Sequence, residues 1–202
     1  METPQKDKLL DEYKRMVDDY SSSQSTEYFT NYSVHCAIYI FNKMFNGAKQ
    51  SIEMFTGSFY DQYKQEGGNY YFNYLKDSLI NAGVNINKKG GIRIITCELE
   101  GEDIEILRRQ LDGLNKEINK KRKLRNDRHN DVIEYVPVKR TSGSPEDLIH
   151  YAVVDNRMVR IENPHNKDDA VNGLVPASVC FNDPNKAKHL LEDFNNILHS
   201  VH

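Results

Sequence analysis

Within LIHYAVVDNRMVRIENPH, residues 148–165, a histidine, an aspartate, an arginine, a glutamate and a second histidine fall close together. By type, these residues could handle a phosphodiester. An imidazole with an ordinary pKa of about 6.5 can attack, or take a proton, near neutrality. A guanidinium can hold two phosphate oxygens in its planar fork. A carboxylate can orient the imidazole or pair with the arginine. His150, Arg160 and Glu162, with Asp155 and His165, are therefore the candidate catalytic residues.

Spacing decides whether they can meet. The segment reads as two strands joined by a tight turn, and side chains alternate along each strand. His150, Ala152 and Val154 share one face of the first strand, and Met158, Arg160 and Glu162 share one face of the second. A two-residue turn pairs Tyr151 with Arg160 or Glu162 and leaves His150 on the opposite side. A three-residue turn over Asp155, Asn156 and Arg157 pairs His150 with Glu162 and Ala152 with Arg160. Only the second register assembles the cluster, and the sequence leaves both open.

Elements that could position this hairpin lie on either side of it. Apolar spacing predicts helices over residues 5–20, 33–45, 70–83 and 103–123, with Gly83 as a C-terminal stop. Asp183-Pro184 opens a last helix, with an acceptor at the cap and proline at the first helical position. SIEMFTG (51–57), GIRIITCE (91–98), VIEYVPV (132–138) and ASVCFND (177–183) read as strands. Strands alternating with helices imply an α/β domain. SSSQST (21–26) reads as a linker, which divides the chain into an N-terminal helix and linker (1–26) and an α/β domain (27–202).

The hairpin resembles the central motif of the phospholipase D superfamily, H-x-K-x4-D on a strand ending Val-Val-Asp, here Val153-Val154-Asp155. AIYIFNKMFNGAKQSIEMFTGSF (37–59) is similar to that family's opening helix and first strand, and ASVCFNDPNKAKHLLEDFNNIL to its closing strand and helix. Aligned on Asp155, Leu148 stands at the family's nucleophilic histidine and His150 at its lysine. Glu162-Asn163 replaces its glycine-serine pair, and His165 falls at its later polar position. The pattern is closer to a degenerate H-x-x-V-V-D-x4-R-x-E branch. The resemblance implies a phospholipase D-like mixed β-sheet flanked by helices, an αβα sandwich, with an extra N-terminal helix. It also implies a homodimer, in which two single-motif chains each give half of a site. Leucine cannot attack phosphorus, so structural roles for His150 and Arg160 are expected over catalysis.

Other features carry weaker chemistry. KEINKKRKLRNDRHND (116–131) is a basic helix tail, and Lys120, Lys121, Arg122, Lys123 and Arg125 could track a phosphate backbone. It lacks aromatics for base stacking. Glu98, Glu100, Glu102 and Asp103 read as helix-capping acids rather than a metal site. The tyrosine-rich stretch 56–74 could form a partner surface. Cys36, Cys97 and Cys180 are odd in number and lie in apolar runs, as buried thiols of a cytoplasmic protein do. A net charge of −3 argues against a generally basic nucleic-acid binder and leaves room for a local patch. No apolar run is long enough to span a bilayer, no secretory leader is evident, and no cofactor or metal is expected.

Three functions compete. The first is a non-catalytic, dimeric phospholipase D-like binding or regulatory module contacting nucleic acid or a protein; resemblance alone sets it in a bacterial defence or mobile-element context. The second is a metal-independent phosphodiesterase or nuclease with a rearranged histidine site. The third is a structural assembly subunit. The enzyme requires His150 open to a polar cleft with Arg160 beside it. Nucleic-acid binding through the basic tail and the hairpin requires both on one surface.

Overall fold

The computed structural model describes residues 4–57, 70–86, 88–97, 99–123, 131–138, 149–163 and 174–201. Among them, short runs rich in β-branched and aromatic residues form strands: β1 (Phe29–Ser33), β2 (Ile52–Thr56), β3 (Ile92–Thr96), β4 (Ile133–Pro137), β5 (Tyr151–Val154), β6 (Met158–Glu162) and β7 (Leu174–Cys180). The helices are α1 (Pro4–Ser23), α2 (Val34–Asn46), α3 (Tyr70–Ile86), α4 (Glu102–Lys123) and α5 (Pro184–Val201). None of them is long and apolar enough to cross a membrane.

The strands form one mixed sheet in the order β1-β7-β6-β5-β2-β3-β4. β2, β3 and β4 run parallel; every other neighbouring pair is antiparallel. Helices cover both faces. Ile40 and Met44 of α2, Leu75 and Leu79 of α3, and Leu107 and Leu111 of α4 share one core with Met54, Ile94 and Ala152. Ala187, Leu190 and Phe194 of α5 cover Phe55, Ile95, Val153 and Val159 on the other face. β5 is buried along its whole length, as a central strand covered on both sides must be.

α1 lies outside α2 and holds to it by both apolar and polar contacts. Val17 reaches the main core. Asp18 accepts from the Tyr39 hydroxyl at 2.7 Å and pairs with Lys43 at 2.7 Å. Sequence patterning did not show that α1 runs on to Ser23, through the first half of the segment read as a linker, nor did it show β1, whose Ser33 caps α2 by accepting from the Cys36 N–H. Gly83 does not stop α3, which runs on to Ile86. Its missing side chain serves packing instead, because a Cβ there would run into the Ile118 side chain of α4.

The β5–β6 turn sets the register of the hairpin. Asp155 (φ 53°) and Asn156 (φ 57°) are both left-handed, a region that Asp and Asn tolerate better than most residues. Arg157 N–H donates to Val154 O at 3.2 Å, and Val154 pairs with Met158. The loop is thus the three-residue one. The Asp155 carboxylate accepts from the backbone N–H groups of Lys49, Gln50 (2.7 Å) and Ser51 (3.2 Å), while Asp155 N–H donates to Ser51 O. Asp155→Ala would leave these donors without their acceptor at a buried position. It should lower the unfolding free energy by about 3 kcal/mol in urea denaturation, with Asp155→Asn costing less.

Candidate functional site

Register places the site. Ala152 pairs with Arg160 and Tyr151 with Ile161, and the Glu162 N–H donates to His150 O at 2.8 Å. His150 and Glu162 are therefore opposite each other, on the same sheet face as Arg160. This edge of the sheet holds the C-terminal ends of β2 and β3, because Phe55 pairs with Tyr151 and Ile52 with Val154. Parallel strands deliver Thr56 and Cys97 to the same place.

Glu162 is the centre of the cluster. Its Oε2 lies 3.2 Å from His150 Nδ1, and its Oε1 accepts from Arg160 Nη1 at 2.7 Å. Arg160 Nε donates to Asn31 Oδ1 of β1 at 3.2 Å, and the guanidinium sits 4.7 Å from the centre of the Phe41 ring of α2. Arg160 Nη2 has no hydrogen-bond partner among the described residues. On its other side the imidazole faces the Cys97 sulfur, with Nε2 at 4.0 Å, and the Phe55 ring. Arg160 is 1 % exposed, while the His150 and Glu162 side chains are 18 % and 16 % exposed.

Charge follows geometry. Burial pushes the Glu162 carboxyl up, but the Arg160 guanidinium and the His150 imidazole outweigh it and hold its pKa at about 2. Burial works against the charged imidazole too. The Cys97 sulfur and the Glu162 carboxylate overcome it and hold His150 up at about 10. Of these two, the carboxylate is the stronger cause, because a sulfur at 4.0 Å is a weak acceptor. At neutral pH the site is an imidazolium and a guanidinium sharing one carboxylate.

The structure therefore brings together His150, Arg160 and Glu162. It does not bring Asp155, which sits at the opposite end of β5, roughly 17 Å away at strand rise, with its carboxylate on backbone donors. His165, Arg125 and the aligned Leu148 lie outside the described residues. Lys120, Lys121 and Lys123 are exposed at the end of α4, but Arg122 is 2 % exposed and does not face solvent. The α4 tail runs to the N-terminal end of the parallel strands, the end of the hairpin turn and not of His150. Asn31, Phe41 and Cys97 complete the site and were not singled out as site residues from sequence. Asn31 and Phe41 come from elements more than a hundred positions away, and nothing local marks them. Among the described residues, no group of three or more His, Cys, Asp or Glu is placed to hold a metal ion.

Comparison with known proteins bears on the fold. No family model and no curated protein matches the sequence. Solved structures do. Nuc from Salmonella typhimurium, a phospholipase D family member, matches with a TM-score of 0.51 at 18 % identity, over 84 % of this chain and 92 % of that one. The fold is phospholipase D-like. NucT from Helicobacter pylori matches at 0.53 with 12 % identity, over 86 % of this chain and 98 % of its own. TrmBL2, an archaeal chromatin protein with a novel mode of DNA binding, matches at 0.54 with 12 % identity. That match takes in 96 % of this chain, which spans 63 % of TrmBL2. At these identities the likeness concerns the fold alone.

The coupled charges give a pH signature with two limbs. Glu162 ionises lower in the fold than its ordinary 4.5, so its contribution to stability is present above 4.5 and fades as pH falls toward about 2. His150 ionises higher than its ordinary 6.5, so its contribution is present below 6.5 and fades as pH rises toward about 10. The stability difference between wild type and His150→Gln should therefore shrink across the alkaline limb in urea denaturation. A difference that grows there would contradict the pairing.

Proposed function

We propose that this chain is a non-catalytic, dimeric phospholipase D-like module that associates with nucleic acid. One observation carries the non-catalytic part: Glu162 engages both His150 and Arg160. An imidazolium has no lone pair with which to attack phosphorus. A guanidinium that is 1 % exposed, stacked on Phe41 and bonded to Asn31 and Glu162, is not open to a phosphate arriving from solvent. The cluster instead fastens β6 to β1, β5 and α2.

The nucleic-acid part is supported by the exposed lysines of α4, namely Lys116, Lys120, Lys121 and Lys123. It is also supported by one fold neighbour: TrmBL2 has a novel mode of DNA binding. A homodimer, implied by the motif's resemblance, belongs to this reading and is checked by mass in solution. The second reading is a rearranged phosphodiesterase. The observation favouring it is Arg160 Nη2, buried and without a partner among the described residues, which an oxyanion could fill.

Assays on single- and double-stranded DNA, RNA and a chromogenic diester, with and without chelator, separate the two. We expect no turnover above a His150→Ala background. Chelator-resistant turnover abolished by His150→Ala would establish the enzyme instead. Binding of labelled DNA should weaken steeply between roughly 50 and 200 mM salt. Replacing Lys120, Lys121 and Lys123 by glutamine should lower the salt slope by up to about three, one for each lysine that neutralises a phosphate.

A further inference from the structure

We infer that the nucleic-acid surface is the end of the sheet opposite His150, a rigid cationic platform centred on Lys88 and Lys89; this rests on the nucleic-acid reading and gives it a location.

Topology gathers the charge. Residues 49–51, 88–91 and 131–132, which lead into β2, β3 and β4, lie at the N-terminal end of the parallel strands, where α4 also terminates. That end presents exposed Lys49, Lys88 and Lys89, together with the exposed Lys120, Lys121 and Lys123 of the α4 tail. An open cleft of about 570 Å³ lies there, lined by Lys88, Lys89 and Arg93 on one side and by Asp131 and Glu134 on the other. Glu53, also in its wall, spends its carboxylate internally, pairing with Arg93 at 3.1 Å and accepting from the Ser51 hydroxyl at 3.0 Å.

The platform is also pre-shaped. Ile52 N–H donates to Gly91 O at 2.9 Å, Gly90 N–H to Asp131 O at 3.1 Å, and Ile92 N–H to Val132 O at 3.0 Å. The Asp155 carboxylate ties residues 49–51 to the hairpin. Residues 49–51, 88–91 and 131–132 are thereby laced by backbone bonds, so little order is lost among them when a ligand arrives. The occupant that fits is a phosphate backbone. Strands β5, β2 and β3 lie side by side and span roughly 10 Å at ordinary strand spacing, about three phosphates of one strand at duplex rise. Asp131 and Glu134 repel phosphate from the β4 side and confine its path to the lysines.

The test uses charge-matched variants of the full chain in fluorescence anisotropy with labelled single- and double-stranded DNA across a salt series. Lys88→Gln/Lys89→Gln should weaken binding roughly tenfold at low salt and lower the salt slope by about two. Arg108→Gln/Arg109→Gln removes the same charge from exposed positions near the other end of α4 and should change little. Asp131→Asn/Glu134→Gln should tighten binding. Equal losses in the two cation variants would mean a general charge effect and would overturn the assignment. The same holds if the Arg108/Arg109 variant alone loses binding. Wild type that fails to bind DNA even at low salt would overturn the nucleic-acid reading itself, and the platform with it. All of the substituted positions are exposed, and a urea curve for each variant confirms that the fold is intact.

Discussion

The carboxylate of Asp155 ties the β5–β6 hairpin to the rest of the sheet, with backbone donors from residues 49–51 converging on it. Because side chains alternate along a strand, a slip of one residue would send His150 to the α5 face and Arg160 away from Phe41. The left-handed pair at Asp155 and Asn156 and the anchored carboxylate oppose that slip from one end of the hairpin. Glu162, bonded to His150 and Arg160, opposes it from the other. The polar groups of this motif act together as a register lock, and the chemistry they could perform is limited by that duty.

Much of this was legible in the chain, and the gaps have physical reasons. Helix and strand positions followed apolar spacing because most elements bury one clear face, as Ile104, Leu107, Leu111, Leu114 and Ile118 do in α4. The same spacing carried a signal about Arg122, four residues beyond Ile118 and so on the buried stripe, which the surrounding lysines masked. β1 stayed hidden because FTNYS carries little apolar pattern and becomes a strand only through pairing with β7. In the site, His150, Arg160 and Glu162 could be named, and the loop length that unites them was one of two open choices. Asn31, Phe41 and Cys97 arrive from other elements, and only the folded sheet brings them in.

The sheet has two chemically different ends. At one, opposite charges meet: Arg160 and His150 share the Glu162 carboxylate and lie against Phe41 and Phe55. At the other, lysines point outward from loops held by main-chain bonds. The first arrangement lowers the energy of the isolated chain. The second leaves its lysine charge exposed to solvent. Both ends also hold the hairpin, through Glu162 at one and Asp155 at the other.

The borders of the sheet differ as well. β4, at one border, ends on Pro137, which has no N–H to offer another strand. β1, at the other, has no such residue. Its cover is α1, whose Tyr13 hydroxyl donates to the Thr30 carbonyl at 3.4 Å and whose Tyr13 and Tyr20 rings pack edge-on against Phe29. By occupying part of a border where a further strand could otherwise pair, α1 limits edge-to-edge association as well as adding a layer to the fold.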